Sequence, residues 1–127
     1  MRVEFELLDT KTPNDWFGIF FRAADPPTLG SNLVYLRKNG MVEIAVFPGP
    51  RVVERLQSGQ ETSGKHVLEI QFENNQLELQ MGAVTLQTRR LFHQTTGRIF
   101  PAVWYANADV HALQIISRDT IEWGASI

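Results

Sequence analysis

Hydrophobic and polar residues alternate with a period of two along most of this chain, and the 3.6-residue spacing of an amphipathic helix is nearly absent. Successive side chains on a strand point to opposite faces. Arg2 to Leu8 sets Val3, Phe5 and Leu7 against Glu4 and Glu6 and predicts a first strand. Asp15 to Ala23 predicts a second, with Phe17, Ile19 and Phe21 on one face and Trp16, Gly18, Phe20 and Arg22 on the other. Leu33 to Arg37 and Met41 to Phe47 predict a hairpin around Lys38-Asn39-Gly40, where Asn-Gly favours a type I′ turn. In that hairpin Val34, Leu36, Val42, Ile44 and Val46 face away from Leu33, Tyr35, Arg37, Glu43, Ala45 and Phe47.

The same reading continues to the end of the chain. Thr10 to Asn14 is a turn, and Asp25 to Asn32 is a loop whose two prolines have no N–H to give a ladder. Pro48-Gly49-Pro50 closes the hairpin. Arg51 to Gln57 fits a short strand or one helical turn and is taken as a strand. After the polar loop Ser58 to Lys65, His66 to Phe72 predicts a strand with His66, Leu68, Ile70 and Phe72 inward. Leu77 to Met81, Val84 to Thr88, Gly97 to Ala106 and Val110 to Ser117 follow as strands. The last two are joined by Asn107-Ala108-Asp109, and the tail Asp119 to Ile127 either closes the sheet or frays. About ten short strands with almost no helix define an all-β chain, a two-sheet antiparallel β-sandwich for which a jelly roll is the natural arrangement. No repeat or linker divides it, so residues 1–127 form a single domain.

Composition narrows the function classes. A chain of 127 residues can bury a self-sufficient core, and zero cysteine leaves stability to that core. A net charge of −2 gives no electrostatic footing for nucleic acid. No apolar run approaches the roughly 20 residues of a membrane helix. The opening MRVEFELLD carries two glutamates and is no signal peptide. If the protein is exported, a leader has been removed or the chain is a module of a longer protein, and an extracellular or periplasmic setting is then favoured.

The candidate chemistry lies on strands two to four. Arg22, Tyr35, Arg37 and Glu43 fall in phase and are expected on one surface. Sugars are held by stacking on Trp or Tyr rings and by hydrogen bonds from planar polar groups. Trp16 and Trp104 are the candidate stacking partners, Trp104 sharing parity with Arg98 and Ala102. Trp104 and Tyr105 are expected to point to opposite faces, with at most one in the core. Trp123 reads as a core plug. The competing reading of the four-residue set is a solvated sheet face with a cross-strand salt bridge, which contributes little stability. No cofactor is expected. Calcium is the one ion with oxygen ligands at hand, in Asp15, Asp25, Asn107 and Asp109, but no D-x-D-x-D-G spacing exists and turn chemistry accounts for all four. His66, His93 and His111 fit no ligand spacing, and His66 and His111 read as strand residues near the core rim.

Several short motifs together resemble a known family. They are Gly18-Ile19-Phe20-Phe21-Arg22, Leu33 to Gly40, Gly64-Lys65-His66-Val67-Leu68-Glu69-Ile70, Asn75-Gln76-Leu77-Glu78-Leu79 and Gly97-Arg98-Ile99. Their order is similar to the concanavalin A-like lectin/glucanase jelly roll, and most of all to its laminin-G-like and 3-keto-disaccharide-hydrolase-type domains. The resemblance implies a curved sandwich that binds ligands on its concave face or edge loops, with Arg22, Tyr35 and Arg37 at matching positions. The chain departs from the pattern in lacking a further N-terminal strand and in having Ala112-Leu113-Gln114 where an aromatic-Asp/Asn pair is usual. Glucanases of that fold carry E-x-D-x-x-E or E-x-D-x-E, because two carboxylates must flank the glycosidic bond. The nearest match, Glu69-Ile70-Gln71-Phe72-Glu73, has glutamine at the centre, and no G-x-S-x-G, P-loop or H-E-x-x-H is present. No catalytic residue is therefore assigned. The expected function is a non-catalytic carbohydrate-binding module for an oligosaccharide or polysaccharide, tethered to a catalytic domain if part of a longer chain. The alternatives are a glycoside-cleaving enzyme of the 3-keto-disaccharide-hydrolase type and a laminin-G-like adhesion module. On this reading Arg37→Ala weakens glycan binding and leaves thermal stability almost unchanged.

Overall fold

The computed structural model describes residues 1–57, 64–73, 76–92 and 97–114. Strands β1 (Arg2–Thr10), β2 (Trp16–Ala23), β3 (Ser31–Arg37), β4 (Met41–Phe47), β5 (Arg51–Gln57), β6 (Lys65–Glu73), β7 (Gln76–Met81), β8 (Val84–Thr88), β9 (Arg98–Trp104) and β10 (Ala106–Gln114) lie within them. They build two antiparallel five-stranded sheets, ordered β10-β1-β6-β7-β8 and β5-β4-β3-β2-β9. This is the two-sheet sandwich that the alternation predicts.

The inward residues are those the alternation names. Val3, Phe5 and Leu7 from the first sheet meet Phe17, Ile19, Phe21, Val34, Leu36 and Ile44 from the second, all in one buried cluster. Phe5 stacks on Phe17 with ring centroids 4.4 Å apart. Burying one such side chain stabilises by about 1.5–3 kcal/mol, so slipping β2 by one residue would forfeit three of them at once. Register is therefore fixed by the core.

The outer face of the second sheet is less polar than the sequence suggests. Phe20, Ala23, Leu33, Tyr35 and Ala45 form a second buried cluster there, with Trp16, Phe47, Phe100 and Ala102 packed against it. Phe20 stacks on Phe100 at 5.1 Å and lies 5.7 Å from Phe47. Arg37 and Glu43 occupy one end of a largely aromatic surface.

Three local expectations are corrected. Ser31 and Asn32 belong to β3 rather than to the preceding loop, which turns through a single 3-10 turn at Pro27–Leu29. The Asn32 side chain, fully buried, accepts from the Phe92 N–H at 2.9 Å and donates to the Phe92 carbonyl at 3.1 Å. Its amide thus does the work of a backbone ladder. The hairpin turn is not type I′, which needs positive φ at both central residues. Only Gly40 has positive φ there (89°), and its N–H donates to the Arg37 carbonyl at 2.9 Å. That is a type I turn followed by a left-handed glycine. Asn107 to Asp109 form no turn, since they lie within β10 with Asp109 opposite Glu6. The reversal falls at Tyr105 (φ 51°). Residues 115–117 of the expected last strand, the tail with Trp123, and His93 lie outside the described residues.

Candidate functional site

Two turns are tied together at one end of the second sheet. In the β1–β2 turn the Asp15 carboxylate accepts from the Lys11 and Thr12 N–H groups at 2.7 and 2.8 Å and from the Thr12 hydroxyl at 2.9 Å. Burial would raise the Asp15 carboxyl, but these donors outweigh it and hold the group below its usual range. The β3–β4 turn docks on this loop, with the Lys38 N–H donating to the Asp15 carbonyl and the Asn39 N–H to the Pro13 carbonyl, at 2.8 and 2.9 Å. Asp15 therefore shapes the turn on which the site is built.

Antiparallel register places the site's side chains in two rows. Residues directly opposite one another project to the same face. One row reads Ala102, Gly18, Tyr35, Glu43 and Arg55 across β9, β2, β3, β4 and β5. The other reads Trp104, Trp16 and Arg37 across β9, β2 and β3. At Gly18 a β-carbon would lie 2.4 Å from the Val34 carbonyl oxygen and 2.6 Å from Tyr35 Cβ, so the close approach of Tyr35 requires glycine. The Trp16 and Tyr35 rings meet at 4.9 Å.

The polar centre is Glu43, only 2% exposed. Arg37 Nε donates to Glu43 Oε1, and Arg37 Nη1 donates to the Asn14 carbonyl. The Arg37 guanidinium also lies 5.2 Å from the Tyr35 ring centroid. Burial opposes its charge, but the hydrogen bond and charge of Glu43 prevail and hold it above its ordinary value. Burial, then the adjacent Glu43 carboxylate, push the Tyr35 phenol up. Arg55 Nη2 is 3.7 Å from Glu43 Oε2, and its side chain is 62% exposed. Together Asn14, Arg37, Asn39, Glu43, Val52 and Arg55 line an open hollow of about 460 Å³.

Of the six residues expected to bind a ligand, Trp16, Tyr35, Arg37, Glu43 and Trp104 share this face. Trp104, 53% exposed, stands at the far end of the row from Arg37. Arg22 does not join them. Between Phe20 and Ala23 the pairing with β9 slips, and Arg22 adopts φ 47° in the bulge. Its side chain turns away and its guanidinium stacks 3.9 Å from the Phe72 ring of the opposite sheet, leaving the residue 8% exposed. Ala23 takes the outer position instead. Neither Trp104 nor Tyr105 is in the core. The positive φ at Tyr105 breaks the alternation, so the two exposed rings contact edge-to-face at 4.9 Å, with Lys11 Nζ 5.6 Å from the Tyr105 centroid.

The calcium candidates do not converge. Asp25 pairs with Arg98 at 2.9 Å, and Asn107 and Asp109 are exposed positions of β10 rather than loop ligands. Among the described residues no group of three or more His, Asp or Glu side chains is gathered to hold a metal. His66 lies partly buried beside Phe5 at 5.7 Å, and His111 is exposed next to Glu6 at 3.4 Å. Glu69 and Glu73 are exposed on β6 of the other sheet, Glu69 lying 3.7 Å from Arg2, so that pair is not part of the hollow.

Arg55, Val52 and Asn14 are site residues that sequence reasoning passed over. Counting back from the Pro48-Gly49-Pro50 turn puts Glu54 opposite Glu43, an unfavourable pair. A bulge between Ile44 and Ala45 inserts Val53 into the core and brings Arg55 opposite Glu43 instead. The unfavourable Glu43–Glu54 pairing that simple counting gives is the signal that could have shown the slip.

Arginine, a buried carboxylate and aromatic rings on the outer face of a β-sandwich define the class of this domain as far as its own geometry goes. No protein-family model matches the chain, and no curated protein sequence matches it. Among solved structures, the carbohydrate binding module CBM66 from Bacillus subtilis is similar at a TM-score of 0.63 and 11% identity, over 86% of this chain and 68% of that one. At that identity the likeness is one of fold.

Proposed function

We propose that this domain is a non-catalytic carbohydrate-binding module of the concanavalin A-like type that holds a glycan along the outer face of the second sheet. Trp16 and Trp104 supply stacking surface, and Tyr35, Arg37 and Glu43 anchor the polar end. The observation that carries the reading is the buried Glu43 carboxylate at the floor of an open hollow, held by Arg37 and flanked by Arg55, with the tryptophan row running from its rim. A buried carboxylate fixes its arginine, so the donors are set before any ligand arrives. The fold's likeness to a carbohydrate binding module supports the same reading. A preformed, open surface of this kind loses little entropy on binding but encloses little ligand, which gives weak affinity for a single sugar and better affinity for a chain.

Affinity electrophoresis through gels containing a panel of polysaccharides, with a reducing-sugar assay on the same polymers, tests this. Retardation by at least one polymer without release of reducing ends is expected, and Trp104→Ala should reduce the retardation. Release of reducing sugar would assign an enzyme. Free migration through every gel, with stable capture of a defined protein, would assign an adhesion module.

A further inference from the structure

Most acceptors among the hollow's side chains and turn carbonyls are engaged, Glu43 Oε2 being an exception, while its guanidinium donors outnumber their contacts. Glu43 Oε1 accepts from Arg37 Nε, and the Asn14 carbonyl accepts from Arg37 Nη1. Asn39 Oδ1 accepts from the Met41 N–H at 2.9 Å, and the Asn39 carbonyl accepts from Gln57 Nε2 at 3.0 Å. On the donor side, Arg55 Nη2 stands 3.7 Å from Glu43, beyond hydrogen-bond distance, and the Arg55 side chain is mostly exposed. Arg37 carries more N–H groups than its contacts with Glu43, Asn14 and Tyr35 use, and the amide of Asn14 adds two donors and one acceptor. Among the described residues the hollow's one carboxylate lies beneath the surface, 3% exposed, while the guanidinium groups reach it, so an arriving ligand meets positive charge from these side chains.

Neutral sugar hydroxyls both donate and accept, and each needs an acceptor for its proton as well as donors. A carboxylate or sulfate ester only accepts, and it matches a guanidinium fork in a bidentate geometry. We propose that the hollow reads an anionic oxyacid substituent on the glycan, a carboxylate or a sulfate ester, and that Arg55 is the side chain that meets it. The proposal rests on the carbohydrate-binding reading and names the ligand's chemistry at that site. The net charge of −2 makes general attraction of polyanions unfavourable, so a preference for acidic polymers would have to arise locally.

The test uses pairs that share a backbone and differ in an anionic substituent: polygalacturonate against its methyl ester, alginate against its propylene glycol ester, and dextran sulfate against dextran. Calorimetric titration is run on the whole chain and on Arg55→Ala and Arg55→Lys. At least one acidic polymer is expected to bind tenfold or more tightly than its neutral partner at low salt. That margin should shrink at about 1 M salt, where the screening length is near 3 Å. Arg55→Ala should abolish the margin with little change in the melting temperature, because the Arg55 side chain is mostly exposed and Glu43 keeps its hydrogen bond from Arg37. Arg55→Lys should keep only part of it, having charge but no fork. The uronate and sulfate arms tell the two sources apart. If neutral polymers bind as well as every acidic one, or if Arg55→Ala keeps the margin, the anionic proposal falls while carbohydrate binding stands. If no polymer of either kind binds, both fall.

Discussion

Arg37→Ala separates a site built on a buried ion pair from a merely solvated sheet face. Glu43 is 2% exposed and accepts from Arg37 Nε, so removing the guanidinium strands a carboxylate in the sheet. For a fully buried pair that loss costs about 3–5 kcal/mol. Here the Arg37 side chain is 24% exposed, water reaches the hollow, and Arg55 can close its 3.7 Å gap, which lowers the expected cost to about 2–3 kcal/mol. An unfolding entropy of about 2.1 cal/mol/K per residue gives about 0.27 kcal/mol/K for 127 residues, and so a fall in melting temperature of about 7–11 °C. Adding Glu43→Gln to Arg37→Ala removes the stranded charge and should recover about half of the loss. Differential scanning calorimetry of the three proteins at neutral pH reads both numbers. A fall of less than about 2 °C for Arg37→Ala, or a double variant no more stable than the single one, would refute the claim that Glu43 depends on Arg37. The sequence reading expects near-neutrality because alternation assigns Glu43 to a solvated face, whereas packing places it under its neighbours.

Four further outcomes follow from the same geometry. Trp104→Ala should weaken glycan binding about tenfold by titration with an unchanged melting temperature, since its ring is 53% exposed and outside the core. Gly18→Ala should destabilise by about 2–3 kcal/mol in urea unfolding, because the added carbon meets the Val34 carbonyl oxygen at 2.4 Å and backbone cannot rotate aside. The Tyr35 phenol is raised in the fold, so the unfolded chain ionises it first, near pH 10, and stability should fall as pH climbs from there through the folded value. Tyr35→Phe should flatten that fall in a pH series of thermal melts. Arg22→Ala should leave glycan binding untouched while lowering stability by about 2 kcal/mol, the contribution of a desolvated guanidinium on the Phe72 ring. A loss of binding would restore Arg22 to the site.

Much of the architecture was readable from parity alone. Phe17, Ile19 and Phe21 had to be buried together, and so did Val34, Leu36, Val42 and Ile44, because no other phase hides so many large apolar side chains. Once that phase is set, Trp16, Tyr35, Arg37 and Glu43 must share the other face, and they do. Parity says nothing about depth. The same face carries Phe20, Leu33 and Ala45 next to Tyr35, and these pack into a second cluster that walls Glu43 in. A strand with apolar residues on both faces reads as polar outside only when attention falls on its charges. Phe20 and Phe47 were visible in the sequence, but the stacking of Phe20 on Phe100 depends on a strand far along the chain, and that pairing is not a local property.

Where parity failed, a single backbone irregularity was responsible each time, and each decided what chemistry the outer face received. The bulge at Arg22 exchanges a guanidinium for a methyl group: it sends Arg22 to Phe72 and seats Ala23 outside. The bulge at Val53 exchanges a carboxylate for a guanidinium, replacing the Glu54 that simple counting predicts by Arg55. The left-handed turn at Tyr105 keeps two aromatic rings exposed side by side where alternation would have split them between faces. A bulge adds one residue without changing composition, so periodicity over a window of seven or nine residues barely registers it. Its traces lie in the partner strand. Gly97 is one, since a β-carbon there would lie 2.5 Å from the Arg22 carbonyl carbon, and only glycine lets the chain pass so close to the bulge. Hydrophobic phase sets which faces exist, and the bulges set the charge on the one that faces solvent. Without the one at Val53 the hollow would offer one guanidinium against two carboxylates, and it would repel the anionic group that Arg55 is placed to meet.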